Sequence, residues 1–276
     1  MARRRTRRIT GRDRAILDHL AEFHSATPEV LHQRFFFGKA MEAVRSTMRR
    51  LSRGPHDVVQ SVPLDGRRRW YQLTPRGARL TGHKSYDCRT LGLHAAARQY
   101  ALQWFLFLSG QDVRLIDLHE FPDLFPVRGH RLPQGRFYFR TVQQADKLQS
   151  ATVGQDTAAN DAPKTTAQRL GYVAFDFGGR PQRIAQRLQQ SLRRFLRHGW
   201  FDSLILNGQF EVTLITINAA RRRSYEHVLP GMLQRNLAPQ LGRFRTTVAD
   251  HHEVPFPVAA QVVPGLQDII YGRSTT

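Results

Sequence analysis

The sequence predicts a two-domain chain of the α+β class, in which a small unit of three helices and a β-hairpin precedes an α/β domain. Up to residue 86, apolar residues recur first at helical and then at strand spacing; further along, strand and helix patterns alternate. A length of 276 residues also suits two domains. The expected parts are a basic flexible arm at 1–9, the first domain at 10–86, the second at 87–253 and an extended tail at 254–276.

The first domain begins with three predicted helices. Helix one, from about Arg12 to Phe23, follows Thr10, whose hydroxyl can form a capping box with the carboxylate three residues on. A short second helix begins after Thr27, with Pro28 in its first turn. The third helix spans Lys39–Leu51, and its apolar residues fall on one face, which leaves a basic face exposed.

A β-hairpin is predicted directly after these helices. Val58–Leu64 and Arg69–Leu73 have strand-like patterns, and the Asp-Gly pair at residues 65 and 66 is a strong hairpin signal. Three helices followed by a hairpin is the order of a winged helix-turn-helix. Arg67 and Arg68 then lie at the tip of the wing, where they can reach phosphates or the minor groove.

Charge supports a nucleic-acid partner. The chain has 42 Lys and Arg against 22 Asp and Glu, a net charge of +20, and residues 1–86 alone carry +12. Such an excess is typical of a protein that binds a polyanion, and we expect double-stranded DNA. The candidate DNA-binding residues lie in the arm, the third helix and the hairpin: Arg3, Arg4, Arg5, Lys39, Arg45, Ser46, Arg49, Arg50, Arg67, Arg68 and Arg69.

Alternating strand and helix patterns predict the second domain. Leu91–Leu108 is expected to be a largely buried opening helix, and residues 112–123 could be either a strand, at Val113–Leu118, or a helix. The polar segment at 142–168 has almost no large apolar residues and is expected to be an insertion between strands. The other predicted elements are strands at Arg136–Thr141, Tyr172–Phe175, Glu211–Ile217 and Phe244–Ala249 and helices at Pro181–His198 and, capped by Asn218, Ala219–Leu229.

Composition excludes several kinds of site. Cys88 is the only cysteine, which excludes an internal disulfide framework and a zinc site of several thiolates. The longest apolar run is too short to cross about 30 Å of hydrocarbon, so we expect a soluble, cytoplasmic protein without membrane contact. His251 and His252 are adjacent on a strand pattern, where they would point to opposite faces. We expect no metal and no cofactor.

Three segments carry a resemblance to a known family. ITGRDRAILDHLAEFHSATPEVLHQRFF, YQLTPRGARL and YVAFDFGGRPQRIAQRLQQSLRRFL resemble the replication-relaxation family of bacterial plasmid and mobile-element proteins, over roughly Ile9 to Leu229. The resemblance implies a role in plasmid replication, DNA relaxation or mobilisation, and a nucleoid or plasmid-associated location. It also implies a restriction-endonuclease-like second domain, with a homodimer or plasmid replication and mobilisation proteins as further partners.

The resemblance also bears on catalysis. A nuclease of that fold needs two carboxylates for a divalent metal and a lysine that positions the attacking water. Gln134 stands where the family-like pattern has its first Asp. The following Glu-x-Asp reads Ala174-Phe175-Asp176, and Ser191 stands where a lysine is frequent. We therefore expect a nuclease-like scaffold without catalysis.

Several alternatives stay open. Asp176 could cap the turn at Gly178 or pair with Arg180, which are structural roles. In a metal-dependent nuclease or nickase, Asp176 would instead act with Glu120, Asp117 or Asp123. A transcriptional repressor with a dimerising C-terminal domain is a further alternative. RNA or ribosome association is another, because phosphate attraction does not distinguish polyanions.

Overall fold

The computed structural model describes residues 9–65, 67–82, 88, 90–116, 120, 136–143, 166–197, 199–241 and 256–271. The chain forms two compact units, of which unit 1 is Met1–Gln111 with Val263–Thr276 and unit 2 is Asp112–Val262. Helices with a two-stranded and a five-stranded sheet confirm a mixed α/β chain compatible with the α+β class. No helix in the described part of the chain is long and apolar enough to span a membrane.

Unit 1 starts with three helices, α1 (Gly11–Phe23), α2 (Pro28–Phe35) and α3 (Met41–Leu51), close to the predicted bounds. Local capping explains their starts. Thr10 forms a capping box with Asp13, and the hydroxyl of Thr27 accepts the backbone N–H of Val30. Apolar residues from all three helices and from the hairpin form one buried core.

The hairpin consists of β1 (Val59–Pro63) and β2 (Arg69–Leu73), which pair antiparallel. A short helix, α4 (Pro75–Leu80), follows after the cap residue Thr74. The segment between α1 and α2 also joins the hairpin, because Ala26 and Tyr71 exchange two backbone hydrogen bonds of 3.0 and 2.8 Å. The hairpin is therefore fixed to the helices through its backbone as well as through its side chains.

The boundary between the units differs from the expected one. Helix α5 (Leu93–Gln103), continued by a π-helical turn at Trp104–Leu108, belongs to unit 1. The side chain of Gln103 donates a hydrogen bond to the Ser25 carbonyl, and Phe107 packs against the α1 ring of Phe23. These contacts explain why unit 1 ends at residue 111 and not at 86.

The expected extended tail is also corrected. Residues 258–262 form the strand β7 and residues 266–271 form a helix, α9 (Leu266–Tyr271). Leu266, Ile269 and Ile270 of α9 are buried, and α9 contacts α5. Apolar burial thus returns the segment after unit 2 to unit 1.

Unit 2 contains a five-stranded sheet in the order β3-β4-β5-β6-β7. The first three strands are antiparallel, and the last three are parallel. Residues of the helices and of alternate strand positions form one apolar core. The strands are β3 (Val113–Leu115), β4 (Arg136–Gln143), β5 (Thr166–Phe175), β6 (Phe210–Thr216) and β7 (Val258–Val262), and the helices are α6 (Pro181–Leu196), α7 (Trp200–Leu206) and α8 (Ala219–Leu241).

Several elements of unit 2 differ from their predictions. Gln143 pairs with Thr166, so both flanks of the expected insertion are strand. Helix α7 was not predicted, and α8 continues well past Leu229 because Leu233 and Leu237 extend its buried stripe. The predicted strand at Phe244–Ala249 and the pair His251-His252 lie outside the described residues.

Candidate nucleic-acid interface

Helix α3 presents a polar face whose orientation is set by its buried side. Val44, Met48 and Leu51 are fully buried, and this anchors the helix against α1 and α2. Arg45, Ser46 and Arg49, which were predicted as DNA contacts, are consequently exposed on the other side. The capping residue of α3 is Ala40, so Lys39 lies before the helix, where it is exposed.

A groove of about 510 Å³ lies between α3, the start of α2 and the hairpin. Ser52, Ser61 and Tyr71 contribute hydroxyl groups to its wall, and Glu29 contributes a carboxylate. The groove is strongly positive, because the described residues that line it include six arginines: Arg45, Arg49, Arg53, Arg67, Arg68 and Arg69. Sequence reasoning missed Arg53, although it follows directly after the basic third helix.

The groove's positive charge acts on the Tyr71 hydroxyl. Burial raises the pKa of Tyr71, and the nearby guanidinium groups of Arg45, Arg49 and Arg69 oppose that rise. Positive charge from α3 and from β2 therefore converges on one point of the groove. Such convergence of guanidinium groups favours a phosphate or another anion at this site.

The two α3 arginines remain available to a ligand. Glu42 is their only carboxylate partner in the described part of the chain, at 3.7 Å from Arg45 and 3.8 Å from Arg49. All three side chains are more than half exposed. Exposed pairs of this kind contribute at most about 1 kcal/mol, so a phosphate can compete with Glu42.

Arg50 has a structural role that the sequence prediction did not anticipate. Its guanidinium lies 2.5 Å from the carboxylate of Asp13, which is only 1% exposed. Burial acts to raise the pKa of Asp13, yet hydrogen bonds from the Thr10 backbone and from Arg50 lower it overall. Arg50 neutralises a buried carboxylate in α1 and is therefore not available as a DNA contact.

The side chain of Arg68 is likewise bound by other residues of unit 1, whereas Arg67 points an exposed side chain outward. Asp65 binds the Arg68 guanidinium at 2.5 Å, and that guanidinium also donates to the Gly265 carbonyl at 2.6 Å and to the Tyr100 hydroxyl at 3.1 Å. Among the described residues, the hydrogen bond of Arg67 is made by its backbone N–H, which donates to Asp65 at 2.8 Å, and its side chain is exposed. The hairpin tip therefore offers Arg67 for contact and uses Arg68 as an anchor.

The other predicted contacts divide in the same way. Arg69 donates two hydrogen bonds of 2.9 Å to Ser61, one to its hydroxyl and one to its carbonyl, which orders Arg69 across the exposed hairpin. Arg3, Arg4 and Arg5 lie outside the described residues. Within the described residues, the candidate interface thus consists of α3, its C-terminal extension at Arg53, and the hairpin.

The nuclease alternative depends on Asp176, which lies at the end of β5 and is fully buried. Arg221 of α8 binds both of its carboxylate oxygens, one of them at 3.1 Å, and the Gly178 N–H donates to it at 3.0 Å. The predicted cap at Gly178 is present, but the ion pair is with Arg221 and not with Arg180. The carboxylate thus has a cationic partner within unit 2.

Glu120, the predicted acidic partner of Asp176, forms an ion pair of its own. Its carboxylate lies 2.6 Å from Arg114 of β3, and both side chains are about half exposed. Asp117 and Asp123 lie outside the described residues. Each of the two carboxylates thus has its own arginine partner, Arg221 for Asp176 and Arg114 for Glu120.

A second buried carboxylate, Glu211, was missed by sequence reasoning. It lies in β6 and accepts a 2.6 Å hydrogen bond from the Tyr138 hydroxyl, and Arg140 lies 3.0 Å away. The Tyr138 ring covers Gly171, where a Cβ would lie 1.9 Å from the ring. Burial and the Glu211 charge raise the pKa of Tyr138. The alternating apolar and polar residues of FEVTLIT could have revealed Glu211 from the sequence, since side chains two apart in a strand lie on one face and this places Glu211 beside Thr213.

Comparisons with other proteins add no family assignment. No protein-family model, no curated protein and no solved structure matches this chain. Function is therefore inferred from the geometry and charge of the two units.

Proposed function

We propose that this protein binds double-stranded DNA through unit 1, which acts as a winged helix-turn-helix. The observation that carries the proposal is the groove between α3 and the hairpin, with six arginines and one glutamate among its described lining residues. A polyanion is the ligand such a charge distribution fits best. Because the arginines are spread along α3 and the hairpin, the groove fits an extended duplex better than it fits a small anion.

The topology supports the same proposal. Three helices precede a hairpin, and Ala26 adds a bridge to β2, so the hairpin is attached to the helices as a wing. α3 is the recognition helix, because its outer face carries Arg45, Ser46 and Arg49. Such a helix enters the major groove, where arginines contact guanine edges or phosphates. Arg67 at the wing tip contacts the neighbouring backbone or minor groove.

Unit 2 is proposed as a restriction-endonuclease-like scaffold without catalysis. Support comes from Asp176, whose carboxylate is bound by Arg221 and the Gly178 N–H. A guanidinium in this place opposes the binding of a second cation. Together with the resemblance to replication-relaxation proteins, this arginine-bound carboxylate favours a non-enzymatic role for the protein in the replication, mobilisation or regulation of a bacterial plasmid or mobile element.

Binding over a salt series tests the proposal. Purified protein and a labelled duplex are titrated at several salt concentrations, with and without Mg²⁺. We expect the double variant Arg45→Gln and Arg49→Gln to weaken binding and to reduce the salt slope by about 1 to 2 units, because two phosphate contacts are lost. Arg76→Gln with Arg79→Gln is the matched control, since these arginines of α4 are exposed in the same unit.

The outcomes separate the rival functions. Equal losses in both double variants would show that only bulk charge matters, which contradicts the proposed groove. Strand breaks that need Mg²⁺ and disappear in Asp176→Asn would establish a nuclease. Tighter binding to RNA than to duplex DNA in competition would favour RNA association, and a symmetric footprint with two half-sites would favour a dimeric repressor.

A further inference from the structure

Helix α6 of unit 2 has two faces of opposite character. Its inner face is buried in the core of unit 2 through residues such as Leu188, Leu192 and Phe195. Its outer face carries four exposed arginines. At about 100° per residue these side chains fall within an arc of about 80° and form one line along the helix. We call this line the α6 stripe, and it consists of Arg183, Arg187, Arg194 and Arg197.

The α6 stripe is not neutralised by its own helix. Residues 181–197 contain no Asp and no Glu. Among the described residues, none of the four guanidinium groups forms an ion pair. Other helices differ in this respect, since α1 pairs Arg14 with Asp18 at 3.3 Å and α8 pairs Arg222 with Glu226 at 3.3 Å.

The N-terminal half of the stripe opposes the stability of its helix, whereas Arg194 lies in the last turn, where the helix dipole favours a cation. Arg183 lies in the first turn, where the positive end of the helix dipole favours acidic residues, and α6 has none there. Arg183 and Arg187 are four residues apart, so two like charges repel on adjacent turns. A solvated surface selected for stability alone would carry an acid at position 183 and would avoid a like charge at position 187. An unfavourable arrangement of this kind indicates an external anion.

We propose that the α6 stripe is a second DNA-contacting surface, which adds unit 2 to the duplex-binding area. The proposal rests on the DNA-binding function proposed for unit 1. Arg183 and Arg194 are about 16 Å apart along the helix axis, and a duplex carries about one negative charge for every 1.7 Å of its axis. A straight row of guanidinium groups therefore meets phosphates along its whole length.

Duplex DNA fits the stripe better than an acidic protein surface does. Protein interfaces are centred on aromatic and apolar anchors, and charged residues are depleted at their cores. The α6 stripe has Gln190 between its arginines and no apolar residue in line with them. Non-specific contact with a phosphate backbone needs no such anchor.

The test compares two triple variants of the full chain. Arg183→Gln, Arg187→Gln and Arg194→Gln remove most of the stripe. Arg222→Gln, Arg223→Gln and Arg235→Gln remove the same charge from exposed positions of α8. Binding to a duplex of about 40 base pairs, roughly four helical turns, is measured over a salt series. We expect the stripe variant to lower the salt slope by about 2 to 3 units, and the α8 variant to change it by less than about 1 unit.

The possible results are distinct. No binding by the wild-type chain refutes the proposed function itself. Binding that is weakened by the α3 variant but unchanged in the α6 stripe variant refutes only the second surface. Equal slopes in the two triple variants also refute it, because bulk charge then explains the effect. Thermal unfolding checks folding, and the stripe variant should be close to the wild type in stability, since relief of the repulsion between Arg183 and Arg187 offsets the loss of Arg194 from the last turn.

Discussion

His19 shows how a single side chain joins three parts of unit 1. Its ring is 2% exposed and lies 4.7 Å from the Phe23 ring, 5.6 Å from Phe35 and 5.5 Å from Phe107. Arg34 donates a 2.9 Å hydrogen bond to its Nδ1, so this nitrogen is unprotonated and the imidazole is neutral. Burial, aided by the charge of Arg34, lowers the pKa of His19 to about 3.

This shift predicts an acid-sensitive unit 1. The unfolded chain binds a proton at His19 near pH 6.5, but the folded chain does so only near pH 3. The unfolded state therefore gains protons first as pH falls, and stability is lost below pH 6.5. We expect His19 to lower the free energy of unfolding by about 2 kcal/mol between about pH 7 and pH 5.

Urea unfolding at several pH values measures this effect. His19→Gln should show a smaller loss of stability on acidification than the wild type, because the titrating group is gone. His94→Gln serves as the control, since His94 is exposed. Parallel pH profiles for the wild type and His19→Gln would contradict the buried neutral histidine.

The hairpin depends on contacts that are distant in sequence. Its tip is anchored by Arg68, which reaches the Gly265 carbonyl 197 positions away and the Tyr100 hydroxyl, and that hydroxyl in turn donates to the Pro264 carbonyl at 3.0 Å. The Arg68 guanidinium also lies 5.2 Å from the centre of the Tyr100 ring. A charged and partly buried network of this kind holds the loop in one position.

Gly265→Ala tests the anchor. Gly265 has a φ of +71°, and an added Cβ would lie 2.1 Å from Nη1 of Arg68, so the guanidinium must move. We expect faster trypsin cleavage after Arg67 or Arg68 and a several-fold weaker affinity for DNA. Gly110→Ala introduces the same kind of strain at a φ of +73° with open space around it. Identical cleavage rates in the two variants would show that the anchor does not order the loop.

How well each helix was predicted depends on whether the interactions that define its ends are local in sequence or distant. α1 and α2 were located well because Thr10 and Thr27 cap them locally. The sequence prediction ended α8 too early, at Leu229, where the next residue is a proline and prolines normally stop helices. In the structure the helix continues, because Leu233 extends its buried stripe. Tertiary burial outweighed a local rule there.

The candidate site was predictable in part for the same reason. Exposure of Arg45 and Arg49 follows from helical periodicity, which the sequence displays. The anchoring of Arg50 by Asp13 joins residues 37 positions apart, and no local pattern reports it. Net charge favours an anionic ligand, but only the fold distinguishes arginines that are free to contact a ligand from arginines that hold the protein together.

The whole molecule has a nested order, since unit 2 lies in sequence between the two segments of unit 1. Residues 1–111 contain every described residue of the groove, yet they lack α9 and the Gly265 carbonyl. We expect a chain that ends at Val262 to lose stability in unit 1 and to bind DNA at least about tenfold more weakly, because buried apolar residues and the hairpin anchor are removed.

Two truncated chains test this expectation by thermal unfolding and DNA titration. A chain that ends at Tyr271 keeps α9 and is the matched control. Full affinity in the chain that ends at Val262 would show that the last segment is dispensable for binding.

Because of this nested order, unit 1 cannot complete its fold until late in the synthesis of the chain. A ribosome delivers Val263 only after all of residues 112–262 have been made, so α5 waits for its partner α9 throughout the synthesis of unit 2. A chain whose translation stops early lacks the anchor of its own hairpin. If unit 1 binds DNA as proposed, we expect such interrupted products to compete poorly with the finished protein for it.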